Sequence, residues 1–428
     1  MRVFAWRPSF FVSLHCIMKY LPAIFCILIS VSSCYRVEIN LEPDSDKFNL
    51  KVTPDMQRFI YDSRDTSYTV EEPDLSLTYN DHYVDLKEIK VRGNSALRFK
   101  RKSYAVFLSS PIMVTDRYGA GAKELSRFKL LALAMDYTYM EQRISFGLLQ
   151  EAGVMPLFFK FVEFRINDET QGIYLLIEDP EQFYKENGSE FILRRGYNHT
   201  IVDSDYEPSL YFKPLEAYTV RYQDIYNSLK IYSGKDLYTE LSARMDLDGY
   251  FRKLGIDFLL RNGDYTDELY LYAMVTQDTV RYLPIPWDYD DIFSENPHEV
   301  GRSWGMGTLF GTRYYGSLED IISDVGHSLI FSIEDDMDYT IARDSFMYSK
   351  YIEVLSELFT SEYPDIISRV FSETSTELTT FYNSFSVIEQ SAYDAQETTR
   401  SLWLENMTEK KNLLDERLHA IQQQIADY

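Results

Sequence analysis

The sequence predicts an α+β protein with a β-rich first half and a mainly helical second half. Residues 159–178 alternate apolar and polar about an Asn167-Asp168 turn, which is the pattern of a β-hairpin. Residues 246–260 instead space their apolar side chains as one face of a helix, and helical patterning dominates from Glu319 onward. With 428 residues and 45% apolar content, the chain can build one large core or two moderate ones. A formal charge of −24 excludes nucleic acid and anionic lipid as natural partners, since both need a basic face to neutralise phosphate. It favours cations and basic peptides.

Residues 1–33 read as a secretory leader, with Met18 as an alternative start. From Met18 the chain has a short basic opening, an apolar core from Leu21 to Val31 and small residues before Cys34. That core falls short of the ~20 apolar residues needed to span a bilayer. Val31-Ser32-Ser33-Cys34 resembles a bacterial lipobox, which would make Cys34 the lipidated first residue of an envelope protein touching the membrane through its lipid alone. All three cysteines lie within the first 34 residues, so the body should contain neither disulfides nor a thiolate metal site.

Residues 34–84 read as short strands, among them Val37–Leu41 and Asn49–Val52, punctuated by Pro43 and Pro54. A nucleotide-lobe-like part follows over residues 85–200. It opens with a strand, a Gly93-Asn94-Ser95 turn and a basic knot of Arg98, Lys100, Arg101 and Lys102 running into the strand Ser103–Leu108. Such a turn and knot could meet a triphosphate, or be a solvated basic turn balancing nearby acids. A helix is expected over Tyr137–Glu151, capped by Asp136 and carrying Arg143. After the 159–178 hairpin, which ends on Glu178, comes the run Ile192-Leu193-Arg194-Arg195-Gly196.

Residues 201–380 form the second part. A helix near Tyr222–Ile231 precedes the helix Asp246–Leu260, with Asp246 as its cap. Two acidic clusters follow, Asp264/Asp267/Glu268 and Asp288/Asp290/Asp291, joined by the apolar runs Tyr270–Val275 and Thr279–Leu283 about a polar turn. A hairpin there would bring its outer ends together, so that carboxylates far apart in sequence converge. Converging carboxylates repel unless a proton or cation holds them, and oxygen donors of this kind suit Mg²⁺, Mn²⁺ or Ca²⁺. Capping and turn roles are the alternative for the same acids. Gly301–Gly316 reads as a flexible lid or substrate-facing loop, and residues 381–428 as a helical extension with Leu402, Leu404, Leu413, Leu414, Leu418 and Ile421 on its apolar side.

Four ordered motifs over about residues 85–380 resemble the spore-coat CotH kinase family: Arg92-Gly93-Asn94-Ser95, Arg101-Lys102-Ser103-Tyr104, the Gly172-x-Tyr174-x-Leu176-x-Glu178 run, and Asn262-Gly263-Asp264 paired with Ile285-Pro286-Trp287-Asp288-Tyr289-Asp290. The resemblance implies a two-lobed atypical protein-kinase-like fold that uses ATP with Mg²⁺ (or Mn²⁺/Ca²⁺) to phosphorylate a protein substrate. By the same resemblance Lys102 contacts phosphate, Asp264 aligns or deprotonates the attacking hydroxyl, and Asp288, with Asp290, holds the cation together with an acid from Asp267/Glu268. Where relatives carry a metal-binding Asn, this chain has Asp267 and Glu268, and Arg195 stands where they place a Lys. Arg143 would orient the site acids or be a surface or capping arginine, Glu178 would pair with Lys102 or face solvent, and Trp287 would stack on adenine or fill the core. A catalytically silent envelope scaffold with a structural cation is the competing expectation.

Overall fold

In the computed structural model, the described residues are 46–428 except 65–66, 94, 117–120, 137, 207–212, 264–265, 277–278, 305–308 and 383–399. The leader, Cys34, the 37–41 strand and Asp264 therefore lie outside them. The chain enters with β1 (Lys47–Lys51), helix α1 (Pro54–Asp62) and the short strands β2 (Tyr68–Thr69), β3 (Ser76–Tyr79) and β4 (His82–Tyr83). A meander of β5 (Leu86–Arg92), β6 (Ser103–Thr115) and β7 (Ala122–Leu131) leads to helix α2 (Glu141–Glu151), then to β8 (Phe159–Ile166) and β9 (Glu169–Glu178). These nine strands form one sheet in the order β2-β5-β6-β7-β9-β8-β1-β3-β4, antiparallel except for the β1–β8 pair.

Both faces of this sheet are covered, and the strict alternation of β8 and β9 shows why. Val162, Phe164, Tyr174 and Leu176 enter one core with Phe48, Val106 and Phe128, while Phe161, Ile173, Leu175 and Ile177 enter the other beside α2. Asn167 and Asp168 both take left-handed backbone (φ 52° and 71°), so the expected two-residue hairpin turn is present. Helix α1, in contrast, replaces part of the run expected to be strands. The Thr53 hydroxyl accepts from the Met56 amide and Pro54 opens the first turn, so this proline begins a helix instead of punctuating strands.

The second half continues with α3 (Pro180–Glu186), β10 (Phe191–Arg195), β11 (Ile201–Tyr206), α4 (Lys213–Ile231), α5 (Gly234–Arg244), α6 (Leu247–Leu260), β12 (Leu269–Thr276) and β13 (Thr279–Pro286). β11-β10-β12-β13 is a small antiparallel sheet. After β14 (Ser303–Trp304) and β15 (Arg313–Tyr314) come α7 (Leu318–Val325), α8 (Asp336–Arg343), α9 (Ser345–Leu358), α10 (Tyr363–Tyr382) and α11 (Arg400–Asp427). The sheet-rich first half and helical second half are the expected α+β arrangement.

Local signals were met unevenly. Helix α2 starts at Glu141, four residues later than expected, but the Asp136 carboxylate still accepts from the amides of Thr138 (2.9 Å) and Glu141 (2.7 Å). Asp246 precedes α6 without a side-chain capping bond and instead meets Arg281 at 3.1 Å. The described part of 301–316 is tied down by the β14–β15 pairing and by the Leu309 amide, which donates to Asp336. Among the described side chains of α11 the buried residues are Trp403, Met407, Leu414, Leu418 and Ile421, while Leu404 faces outward and Leu402 lies outside those described.

Candidate functional site

Two loops that the sequence separates by a hairpin are joined side by side. Helix α6 ends at Arg261 in left-handed backbone (φ 53°). The next residues bond to the loop after β13: the Gly263 amide donates to Asp291 O (2.9 Å), Phe293 N to Leu260 O (2.8 Å) and Ser294 N to Arg261 O (3.2 Å). A side chain at Gly263 would put Cβ 2.8 Å from both Asp291 Oδ2 and Ser294 Oγ, so any larger residue would have to displace those two side chains for the loops to close this tightly. At the other end the β12–β13 register runs from Leu269↔Pro286 to Thr276↔Thr279, and Trp287 N donates to Glu268 O at 3.0 Å. The hairpin thus brings Asp267 and Glu268 alongside Trp287 and Asp288, as the sequence pattern requires.

Within this frame the acids are not equivalent. Arg194, on the neighbouring strand β10, donates to Glu268 Oε2 (2.7 Å) and to the Asp267 carbonyl (2.7 Å), and lies 3.6 Å from the Asp267 carboxylate. A carboxylate held by a guanidinium is a poor cation ligand, so Arg194 competes with any cation for these two acids. Asp291 is held by Ser294 (2.9 Å) and His298 (3.0 Å), and those bonds lower its pKa. Asp288 differs. It takes left-handed backbone (φ 46°), and its Oδ1 accepts from Gln142 Nε2 of α2 at 2.7 Å. Gln142 is buried, and its Oε1 has no partner among the described residues. Nearby, burial and Asp136, followed by the charges of Asp290 and Asp291, raise the pKa of Glu141.

The lysine at this site is one the sequence reading passed over. Lys129 of β7 is buried, with Nζ 4.3 Å from the centre of the Trp287 ring, 5.8 Å from that of Tyr270 and 3.5 Å from Asp179. Burial brings its pKa down to about 8; Asp179 opposes the fall, while Arg92 and Arg194 add to it. Three cations therefore share one region next to the Asp288 loop, which is a setting for an anion.

The remaining candidates are tied into the fold by bonds of their own. Lys102 Nζ donates to the carbonyls of Leu97 (2.6 Å) and Phe99 (2.5 Å), and Arg101 donates to those of Gln171 (2.8 Å) and Ile173 (2.5 Å), so the basic knot fastens its own turn to the sheet. Glu178 neither pairs with Lys102 nor faces solvent: it is buried, accepts from Phe158 N (3.0 Å) and meets Lys123 at 2.8 Å. Arg143 points away from the acids toward Glu377 on α10 (2.5 Å). Trp287 is buried edge-on to Tyr270, a core position.

Beneath the loops lies a buried polar network that no sequence motif announced. Arg195 donates to Thr266 O (2.6 Å) and Tyr250 Oη (2.7 Å) and lies 3.7 Å from Asp335; Tyr250 in turn donates to Asp338 (2.6 Å). Thr266 Oγ1 donates to Glu334 at 2.6 Å. The loop that carries Asp264 is thereby anchored from below to the start of α8. The signal was present as four acids within Glu334–Asp338, but only the fold shows that they point inward.

A sheet-rich half and a helical half meeting at these paired loops define an α+β kinase-like protein. Residues 89–363, more than half of the chain, match the family described as CotH kinase protein, and the chain belongs to that family. No curated protein matches it.

Proposed function

We propose that the chain is a nucleotide-dependent phosphotransferase acting on hydroxyl groups of a protein substrate. The observation that carries this reading is Lys129, buried over Trp287 beside Arg92 and Arg194, within the reach of a loop presenting Asp288. Arg92 and Arg194 act on Lys129 even though Asp179 engages the lysine and Asp267 and Glu268 engage Arg194, and a polyphosphate would add negative charge that favours all three cations.

The donor set partly fits a divalent cation. Among the described residues no group of three Asp, Glu, His or Cys side chains could hold a metal. Asp288 and Gln142 Oε1, which has no partner among the described residues, are nevertheless two hard oxygen donors of the type that Mg²⁺, Mn²⁺ and Ca²⁺ take. Asp290 is a third candidate, whereas Asp267 and Glu268 do not fit because Arg194 holds them. A bound cation would neutralise charge on the nucleotide phosphates. Lys129 and Arg92 hold those phosphates in this reading, and Asp264 takes the proton of the attacking hydroxyl. Trp287 acts as the floor under Lys129 instead of stacking on the base.

The acidic composition favours a basic protein substrate. Cys34 would anchor the protein by lipid to the cell envelope; Cys34→Ser should then release it from the membrane fraction, and an unchanged distribution removes the anchor. The tethering of Asp267 and Glu268 by Arg194 favours the second reading, a silent envelope scaffold. Calorimetry of residues 35–428 with Mg·ATP and Mn·ATP, followed by transfer of labelled phosphate to a basic protein, separates the two. Binding lost in Lys129→Met supports the phosphotransferase; no binding by the wild type leaves the scaffold.

A further inference from the structure

Helix α10 starts at Tyr363, the last residue of the family match, so nearly all of it lies outside the matched region. It nevertheless grips α2 along one stripe. Arg143, fully buried, gives its Nε and Nη2 to Glu377 (3.2 and 2.5 Å) and lies 3.9 Å from Glu373. One turn on, a Cβ at Gly147 would stand 2.7 Å from a methyl of Val370, so the Val370 side chain of α10 rests directly on the α2 backbone there. One turn further, Glu151 receives both terminal nitrogens of Arg369 (2.7 and 2.8 Å). Positions 143, 147 and 151 repeat every four residues and lie on one face of α2. The next residue round from that face is Gln142, which donates to Asp288 at 2.7 Å.

We infer that α10 is a positioning element for the site: by fixing the seat of α2 it fixes Gln142, and through Gln142 the carboxylate of Asp288. The geometry leaves little slack. A non-glycine residue in left-handed backbone needs its surroundings to keep it there. The Gln142 bond is the side-chain tie that holds the Asp288 carboxylate, and a helix sliding by one residue moves ~1.5 Å, enough to break it. Glu377 and Arg143 act on Asp288 through Gln142; neither needs to touch a ligand. The inference rests on the proposed nucleotide reading only for what Asp288 binds.

The test uses the full chain with Glu377→Gln, Gln142→Ala and the two combined. Amide exchange of the segment 287–294 and Mg·ATP affinity are both read. Glu377→Gln should speed exchange at 287–294 roughly three- to tenfold and weaken Mg·ATP by a similar factor; Gln142→Ala should do the same, and the double variant no more than either. An additive double variant, or faster exchange spread evenly over the molecule, overturns the inference. Arg369→Gln, at the half-exposed end of the same stripe, guards against misfolding. It should shift 287–294 in the same direction by less, and no shift counts against α10. If the wild type binds no Mg·ATP, the functional reading falls while the exchange result still decides the role of α10.

Discussion

Lys129 occupies a position that costs the fold free energy. Its ammonium is desolvated and faces two guanidinium groups, with Asp179 as its carboxylate partner. Lys129→Met should therefore leave the melting temperature unchanged or higher while weakening Mg·ATP roughly 10- to 100-fold, the scale of a charge-assisted hydrogen bond. Lys102→Met should show the reverse. It strips the Leu97 and Phe99 carbonyls of their donor, lowering stability by about 1–3 kcal/mol, with a smaller effect on binding. The sign of the pH effect follows from the depressed pKa. Ligand affinity should be full below about 8 and fall above it as the amine loses its proton; stability from this group should rise above about 8, because the unfolded chain still binds the proton there. Lys129 was visible in the sequence as the lone cation in Phe128-Lys129-Leu130-Leu131, but a cation in an apolar run does not say which loop it will face. Gln142 gave no signal at all, since an amide on a helix is ordinary until a carboxylate 146 positions away meets it.

At the level of elements, the hairpin β12–β13 was legible because alternation and a polar turn set register locally, and the register delivers the acid-bearing ends together. What supports those ends was not legible, because it is assembled from β10, α6 and α8. The start of α8 buries Asp335, Asp336 and Asp338, favourably placed at a helix N-terminus, with Arg195 acting on Asp335 and Asp338 and with His199 (2.6 Å) and Arg313 (3.8 Å) on Asp336. Arg195→Met should destabilise the fold by about 3–5 kcal/mol, the cost of leaving buried carboxylates without their partner, as a denaturant melt would measure. Asp338 behaves differently. Burial, opposed by Arg195 and assisted by Asp335, raises its pKa, so its contribution is complete below the ordinary carboxylate range and is lost as pH climbs through the raised value. Melting temperatures should accordingly fall between about pH 4 and about pH 7, and Asp338→Asn should flatten that decline while changing little at the acid end. A slope unaltered by Asp338→Asn would assign the decline to other acids.

For the whole molecule, the boundary drawn by family similarity and the boundary drawn by packing differ. Residues 45–428 form one compact unit, yet the match ends at Tyr363. Beyond it, Val370, Phe371, Leu378 and Phe381 of α10 and Trp403, Leu414, Leu418 and Ile421 of α11 are all buried in the core shared with α2 and α6. Arg417 of α11 donates to the carbonyls of Phe258 and Leu259, the last turn of α6, satisfying acceptors that a helix C-terminus leaves open just before the Asn262-Gly263 loop. A chain ending at Tyr363 would expose the apolar surface these helices cover and leave Arg143 without Glu377. Each large buried side chain contributes roughly 1.5–3 kcal/mol, and a stranded buried charge costs about 3–5 more, against a total stability of about 5–15 for a domain. The truncated chain should therefore lack a cooperative melt and bind a hydrophobic dye, even though it retains every family motif. A truncated chain that melts cooperatively near the temperature of residues 35–428 would make α10 and α11 an appended unit instead, and would weaken the case that α10 seats the site. Reductant should leave the melt of residues 35–428 unchanged in either case, because the described unit contains no cysteine.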